Sequence, residues 1–443
     1  MRIGIDCGLF QERQFLGRNW KTPLPESASI DFLLLTHAHL DHTGLIPRLV
    51  AGGFDRPIIA TEPTVELASI VMEDSGRIHE EDAKYKKKRH QRKGHKGSHP
   101  IVPLYTGEDA KRAVSLLKGV GYAQPLKLND HVSATFHDAG HILGSAILEI
   151  MVNEGGSSRR LLFSGDIGQP DKPLICDPSF IESADHVVLE STYGDRDHPE
   201  FGDVASQLAN LINDTVEKGG NIVIPTFAIE RAQELMFHIG RLVHEDRIKP
   251  LPIYLDSPMA VDVTEVFRRH RDYLDQRTRD LFASGQPPLQ FPGLKLVRSV
   301  DDSIAINNAP PPNLIMSASG MCTGGRIKHH LRQNIGQADS TIVFVGYQSV
   351  GTLGRLILDG HKRVRIHGRQ HHINARIAQI QGFSAHGDRS DLLEWLRHLK
   401  SKPKTVFLTH GEESAALALA SEIRSELDLE VSVPEYKDVV ELE

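Results

Sequence analysis

Short apolar, β-branched runs alternate along this chain with stretches whose apolar residues recur at helical spacing. The run Phe32-Leu33-Leu34-Leu35 is typical of the first kind, continuously apolar and followed by polar residues, as a strand buried on both faces requires. This pattern predicts strands over 30–35, 57–60, 146–151, 161–164, 186–190, 221–225, 252–255, 314–317, 341–346 and 405–409. Amphipathic spacing predicts helices over 64–78, 108–120, 204–218, 230–243, 260–268 and 390–399. Strands and helices that take turns in this way specify an α/β fold. Several of the strands end at a polar or glycine-rich turn that opens a helix, which is where such folds place their chemistry.

At 443 residues the chain exceeds what one small core supports, and two domains are expected. The composition shifts after Tyr193-Gly194-Asp195-Arg196-Asp197-His198-Pro199, beyond which a regular βα rhythm runs to about Gly360. We therefore expect a first domain over 1–198, an inserted α/β domain over 199–360, and a return to the first domain over 361–443. Pro310-Pro311-Pro312 reads as a connector. The segment 84–96 is dense in lysine and arginine, and a solvated loop or helix end accounts for it about as well as a nucleic-acid contact.

Hydrophobic residues make up 40% of the chain and charged residues 25%, as in ordinary globular proteins. A net charge of -7 excludes a protein that holds nucleic acid by bulk charge alone. Cys7, Cys176 and Cys322 are too few and too scattered for a disulfide framework or a cysteine zinc finger. No run reaches the roughly 18 apolar residues that span a bilayer, and the start carries no secretory apolar region. A cytoplasmic location is expected, with no membrane partner.

One segment dominates the chemistry. His37, His39, Asp41 and His42 fall within six positions of one another, directly after the strand-like run ending at Leu35. A rigid strand end aims His37 and His39 to one side, while the turn carrying Asp41 and His42 addresses a second point nearby. Imidazole and carboxylate without thiolate suit a catalytic zinc-type ion that keeps a position open for water. Three further residues occupy the same local setting, each at the end of a β-like run. His141 lies among the glycines of Asp138-Ala139-Gly140-His141-Ile142-Leu143-Gly144, and Asp166 follows Phe163-Ser164-Gly165, fit to bridge two ions. Asp6 follows Ile3-Gly4-Ile5 and is placed to orient a histidine rather than to bind metal.

In this order, the His-x-His-x-Asp-His run, the single His141 and the single Asp166 resemble the metallo-β-lactamase superfamily, whose core is an αββα sandwich. Later segments resemble its β-CASP nucleases. Glu190 in Leu189-Glu190-Ser191-Thr192-Tyr193-Gly194 is similar to that group's first motif, His386 in Phe383-Ser384-Ala385-His386-Gly387 to its second, and His410 in Leu408-Thr409-His410-Gly411 to its third. Within the group the chain is similar to bacterial and archaeal proteins akin to the nuclease subunit of the eukaryotic cleavage and polyadenylation factor.

The resemblance implies one ion held by His37, His39 and His141 and a second held by Asp41, His42 and His410, with Asp166 between them. It implies two zinc ions per chain, with manganese an alternative for the same donors. It also implies a ribonuclease cutting single-stranded RNA between its two domains, with His386 as the acid and Glu190 holding it charged. A hydroxide activated between the ions would leave 3′-hydroxyl and 5′-phosphate ends, in RNA processing or decay. The glycine-rich stretch Ser317-Ala318-Ser319-Gly320-Met321-Cys322-Thr323-Gly324-Gly325-Arg326 joins a strand to a helix start, and relatives carry similar segments. Ser319, Gly320, Thr323, Gly324, Gly325 and Arg326 are its candidate phosphate contacts. Relatives usually have a strand pair before the position of Asp6, which this sequence does not show.

The alternatives are a DNA nuclease of the same superfamily, a small-molecule hydrolase and a catalytically silent scaffold in a processing complex. His410 speaks against the first, the inserted domain against the second, and the full set of seven ligand positions against the third. Whether cutting is internal or from the 5′ end, and whether the chain is a homodimer, the sequence leaves open.

Overall fold

In a computed structural model of the protein, residues 1–12, 14–21, 29–93, 101–199 and 202–442 are described. The chain divides into two compact units. The first contains Met1–Pro170, Asp177–Asp197 and His386–Glu443, and the second Asp171–Cys176 and His198–Ala385.

The first unit is built on two sheets. Strands β1 (Ile3–Ile5), β2 (Phe32–Leu34), β3 (Ile58–Thr61) and β4 (Leu117–Val120) form a parallel sheet in that order. The second sheet starts with β5 (Leu126–Lys127), β6 (Val132–Asp138), β7 (Ala146–Glu154) and β8 (Ser157–Phe163), all antiparallel. It then turns parallel through β9 (His186–Glu190), β18 (Thr405–Thr409) and β19 (Val431–Ser432). Alternation along β7 decides how the layers pack, because successive side chains leave opposite faces of a strand. Ala146, Leu148 and Ile150 join Leu34 and Ile59 of the first sheet in one apolar cluster. Ile147, pointing the other way, joins Leu392, Trp395 and Leu396 of the helix Arg389–Arg397 and Leu419 of the helix Glu413–Glu422. Helix, sheet, sheet and helix are therefore stacked in that order, with the long helix Glu62–Lys93 against the first sheet.

The second unit holds a six-stranded parallel sheet. Its strands are β10 (Ile222–Pro225), β11 (Ile253–Asp256), β12 (Leu294–Val297), β13 (Leu314–Ser317), β14 (Thr341–Phe344) and β17 (Arg376–Gln379), in the order β12-β11-β13-β10-β14-β17. β10, β11, β13 and β14 are buried at every position, which explains their unbroken apolar runs. The connecting helices start on side-chain caps: Asp203 accepts from Ala205 N, Ser257 from Ala260 N, Asp275 from Thr278 N and Ser299 from Asp302 N. A hairpin of β15 (Arg363–Ile366) and β16 (Arg369–His372) lies beside this sheet.

Two expectations require correction. The helix expected over 108–120 ends at Val114, and Leu117–Val120 instead pairs with β3 in parallel register, so sheet pairing overrides helical spacing there. The inserted unit does not stop at Gly360. It continues to Ala385, because β17 extends the six-stranded sheet by pairing with β14. Of the readings open for the basic segment, residues 84–93 form the end of the helix Glu62–Lys93, and 94–96 lie outside the described residues.

Candidate metal centre and catalytic residues

Local chain geometry delivers the first ligands. β2 ends at Leu34, and backbone bonds from Asp6 N to Leu34 O and from Cys7 N to His42 O tie the segment after β1 along the segment after β2. Gly8 sits in this crossing, where a Cβ would lie 1.3 Å from Asp41 O. Asp6, in the left-handed region with φ 55°, turns its carboxylate back to this strand end. Its Oδ1 accepts from Thr36 N at 2.8 Å, and its Oδ2 lies 2.7 Å from Thr36 Oγ1 and 2.6 Å from His42 Nδ1.

These contacts settle which imidazole nitrogens face the site. An ionised carboxylate only accepts, so His42 Nδ1 carries the proton and Nε2 presents a lone pair. Thr36 has one hydroxyl proton, which goes to Asp6, so its oxygen accepts from His37 Nδ1 at 3.1 Å. His37 Nε2 is then the nitrogen turned inward. Neither Thr36 nor its hydroxyl was singled out from sequence, although its place between strand and first histidine was a usable signal.

The remaining donors arrive on separate turns. His141 sits on the loop between β6 and β7, where Gly140 takes φ 63° and Ser145 Oγ accepts from His141 N and Ile142 N at 3.0 and 3.2 Å. Asp166 follows β8 through Gly165 at φ 54°. His410 follows β18 with φ 55°, its carbonyl bound by Thr192 Oγ1 at 2.9 Å.

Among the described residues, two groups of these donors converge, each with all its ligand atoms within 4.8 Å: His37, His39, His141 and Asp166, and Asp41, His42 and His410. In the first, His39 Nδ1 is 3.1 Å from His37 Nε2 and 3.2 Å from His141 Nε2, and Asp166 Oδ2 is 3.5 Å from both Nε2 atoms. Bonds of about 2.0–2.1 Å to a tetrahedral ion place neighbouring donors roughly 3.3 Å apart, so the spacing is that of a metal cage. In the second group His42 Nε2 is 3.1 Å from His410 Nε2, which is 3.6 Å from Asp41 Oδ2. Asp166 reaches both: its Oδ1 lies 3.4 Å from His42 Nε2 and 3.3 Å from His410 Nδ1. That oxygen is buried and makes no hydrogen bond of ordinary geometry, an orphan acceptor that a cation would satisfy. The residues present fit a metal.

The titration behaviour has the same meaning. Burial drives His37 well below its ordinary pKa, with the nearby His42 adding to the effect. Burial likewise takes His39 down to about 4, against the upward pull of Asp41 and Asp166. Both imidazoles are therefore neutral and able to donate lone pairs. Burial also opposes protonation of His42 and His410, but Asp166 with Asp6 raises His42 well above normal, and Asp166 with Asp41 raises His410 to about 9. Burial pushes Asp166 upward, yet His410 and His42 outweigh it and hold the carboxylate well below its usual range. The cluster thus demands positive charge, as protons or as cations.

Beside it stands a second pair. Glu190, at the end of β9, is buried, and its carboxylate accepts from Ile167 N at 2.7 Å and Thr192 N at 3.3 Å. Its two oxygens lie 3.1 and 3.2 Å from His386 Nδ1, which is 3.9 Å from Asp166 Oδ2. Burial lowers the His386 pKa, but Glu190 and then Asp166 more than offset this, and the net shift is upward.

The glycine-rich segment lies in the second unit and is described by itself. Ser319 Oγ is 3.2 Å from Thr323 Oγ1 and accepts from Gly324 N at 3.3 Å, closing the loop on itself. Gly320 O accepts from Gln348 Nε2 at 2.9 Å, and Gly325 takes φ 75°, where a Cβ would meet Ala318 O at 2.3 Å. Arg326 turns inward: Nη1 donates to Asp256 Oδ1 and Nη2 to Arg298 O, each at 2.7 Å. Two donors expected for a phosphate are thereby spent on the unit's own strand ends. Sequence reasoning passed over Asp256, which also lies 2.6 Å from His330 Nε2.

Residues 1–163 match the model of a metallo-beta-lactamase superfamily domain, 232–357 that of a Beta-Casp domain, and 370–434 that of a Zn-dependent metallo-hydrolase RNA specificity domain. The chain is 36% identical to ribonuclease TTHA0252 of Thermus thermophilus, over 94% of this chain and 89% of that protein. It is 31% identical to the transcription termination factor FttA of Methanocaldococcus jannaschii, over 99% of this chain and 68% of that one. With the FttA of Methanosarcina mazei it shares 32% identity, over 97% and 66%.

Proposed function

Because the chain belongs to the β-CASP ribonuclease family of the metallo-β-lactamase superfamily, we propose that it hydrolyses phosphodiester bonds of single-stranded RNA with two zinc ions, leaving 3′-hydroxyl and 5′-phosphate ends. The relative named as a ribonuclease, matched over nearly its whole length, supports RNA as the substrate. His37, His39 and His141 would hold one ion and Asp41, His42 and His410 the other, with Asp166 serving both. When bound, such ions lower the pKa of a water towards neutrality and offset charge on the phosphoryl group.

The protein's own residues supply the rest. Asp6 and Thr36 fix the tautomers of His42 and His37, so that lone pairs point inward without a reorganisation cost. Glu190, itself fixed by two backbone N–H groups, holds His386 by Nδ1 and keeps it protonated. His386 then donates its proton to the departing ribose oxygen, as a general acid does when its pKa lies near or above the working pH. The observation that carries this reading is Asp166 Oδ1, a buried acceptor set between two sets of imidazoles with no hydrogen bond of its own.

The test pairs metal analysis with cleavage of matched RNA and DNA oligonucleotides. About two zinc ions per chain and cutting of RNA are expected, with activity abolished in His39→Ala and Asp166→Ala while the fold remains. Preference for DNA, fewer than one ion per chain, or unchanged turnover in either variant would overturn it.

A further inference from the structure

Between Ser303 and Gly387 the sequence contains only two carboxylates, Asp339 and Asp359, in a chain whose net charge is -7. Four cations of this stretch stand on two elements that pack together. On the helix Ile327–Asn334, Ile327, His330, Leu331 and Asn334 are buried, which leaves Lys328, His329 and Arg332 on the open side. The β15–β16 hairpin docks against this helix through Val364 and Ile366, which share an apolar cluster with Leu331 and Ile335. The alternate residues Arg363 and Arg365 are exposed. At the tip, the His367 ring lies 4.5 Å from that of His329, the planes inclined by 35°.

The tip is unusual in a second respect. His367 has φ 46° and Gly368 φ 80°, the two-residue turn with both central residues left-handed, where asparagine ordinarily precedes glycine. Histidine there accepts a conformational cost, and such outliers mark places where a side chain has a use. Burial, followed by Arg332, lowers the pKa of His329. Burial and then His329 and Lys328 lower that of His367. Both rings are therefore neutral near pH 7 and offer aromatic faces among cations. No ion pair is made by Lys328, Arg332, Arg363 or Arg365 among the described residues, whereas Arg326, Arg355 and Arg376 on the same unit are paired with Asp256, Asp359 and Asp214.

We propose that Lys328, Arg332, Arg363 and Arg365, with the His329–His367 ring pair, form an RNA-binding surface on the inserted unit, cations taking phosphates and rings taking bases. Unpaired cations around stackable faces are the two components that bind single strands without sequence preference. This inference rests on the reading of the chain as a ribonuclease, and it assigns where substrate beyond the scissile bond is held.

Binding of a 20-nucleotide RNA that cannot be cut, read as log K against log salt for the full zinc-loaded chain, tests it. Each lost phosphate contact flattens the slope by about 0.7, so Lys328→Ala with Arg332→Ala should reduce it by about 1.4, as should Arg363→Ala with Arg365→Ala. Hydrolysis of bis-p-nitrophenyl phosphate should stay within about twofold of the parent in both pairs. His367→Asn, which suits the turn, should weaken RNA binding about tenfold without altering the slope. Slopes unchanged in both pairs, or polyglutamate competing as well as RNA of equal charge, would overturn the proposal. A parent protein that hydrolyses the small diester yet binds no RNA would instead overturn the ribonuclease reading.

Discussion

At the scale of single residues, the site depends on positions that touch no ligand. Gly8 is one, because Asp41 O occupies the space a side chain would need. Gly8→Ala should displace the Asp41–His42 turn, and metal analysis should show loss of one ion before loss of the fold. The His386–Glu190 pair makes a different prediction. His386→Ala should retain metal and slow cleavage by roughly 10²–10⁴, the usual worth of a general acid. Glu190→Gln keeps the shape but removes the charge that raises His386. A general acid must be protonated, so the rate falls as pH rises through its pKa. With that pKa lowered, the alkaline decline in the variant should begin at lower pH, which a pH–rate profile reads directly.

At the scale of elements, turns opening helices carry much of the precision. The helix Arg389–Arg397 begins on a reciprocal cap in which Asp388 accepts from Asp391 N and Asp391 accepts from Asp388 N. His386 lies two residues before Asp388, and Gly168 forms an isolated bridge with His386. Asp391→Ala should cost about 1 kcal/mol in denaturant unfolding. The ligand-bearing turns were legible in sequence because polar clusters follow apolar runs: Leu35 before His37, Phe163 before Asp166, Leu408 before His410. Less legible were elements defined by partners far away in sequence. Leu117–Val120 read as the end of a helix, since nothing local announces its pairing with Ile58–Thr61. Strand β6 alternates Val132, Ala134 and Phe136 with Ser133, Thr135 and His137, a short alternation of mostly small residues that offers no continuous apolar run, yet it pairs with β7 along its whole length. The inward turn of Arg326 was equally hidden, because Asp256 lies 70 residues upstream.

At the scale of the whole molecule, all seven metal-binding candidates belong to the first unit. Metal that binds only the folded state stabilises what it binds. Calorimetry with and without chelator should therefore show one transition lowered, that of the metal-bearing unit, and the inserted unit's transition unmoved. A single transition shifting as a whole would mean the two units melt as one. Acidification should mimic the chelator, because protons compete with cations for His42 and His410, whose neighbouring carboxylates favour either form of positive charge.

His410 directly follows β18, which lies more than two hundred residues after β9, against which it pairs. During synthesis, the ribosome therefore completes six of the seven metal-binding candidates and the whole inserted unit before the last one exists. The seven candidates come together only once the returning segment pairs alongside β9.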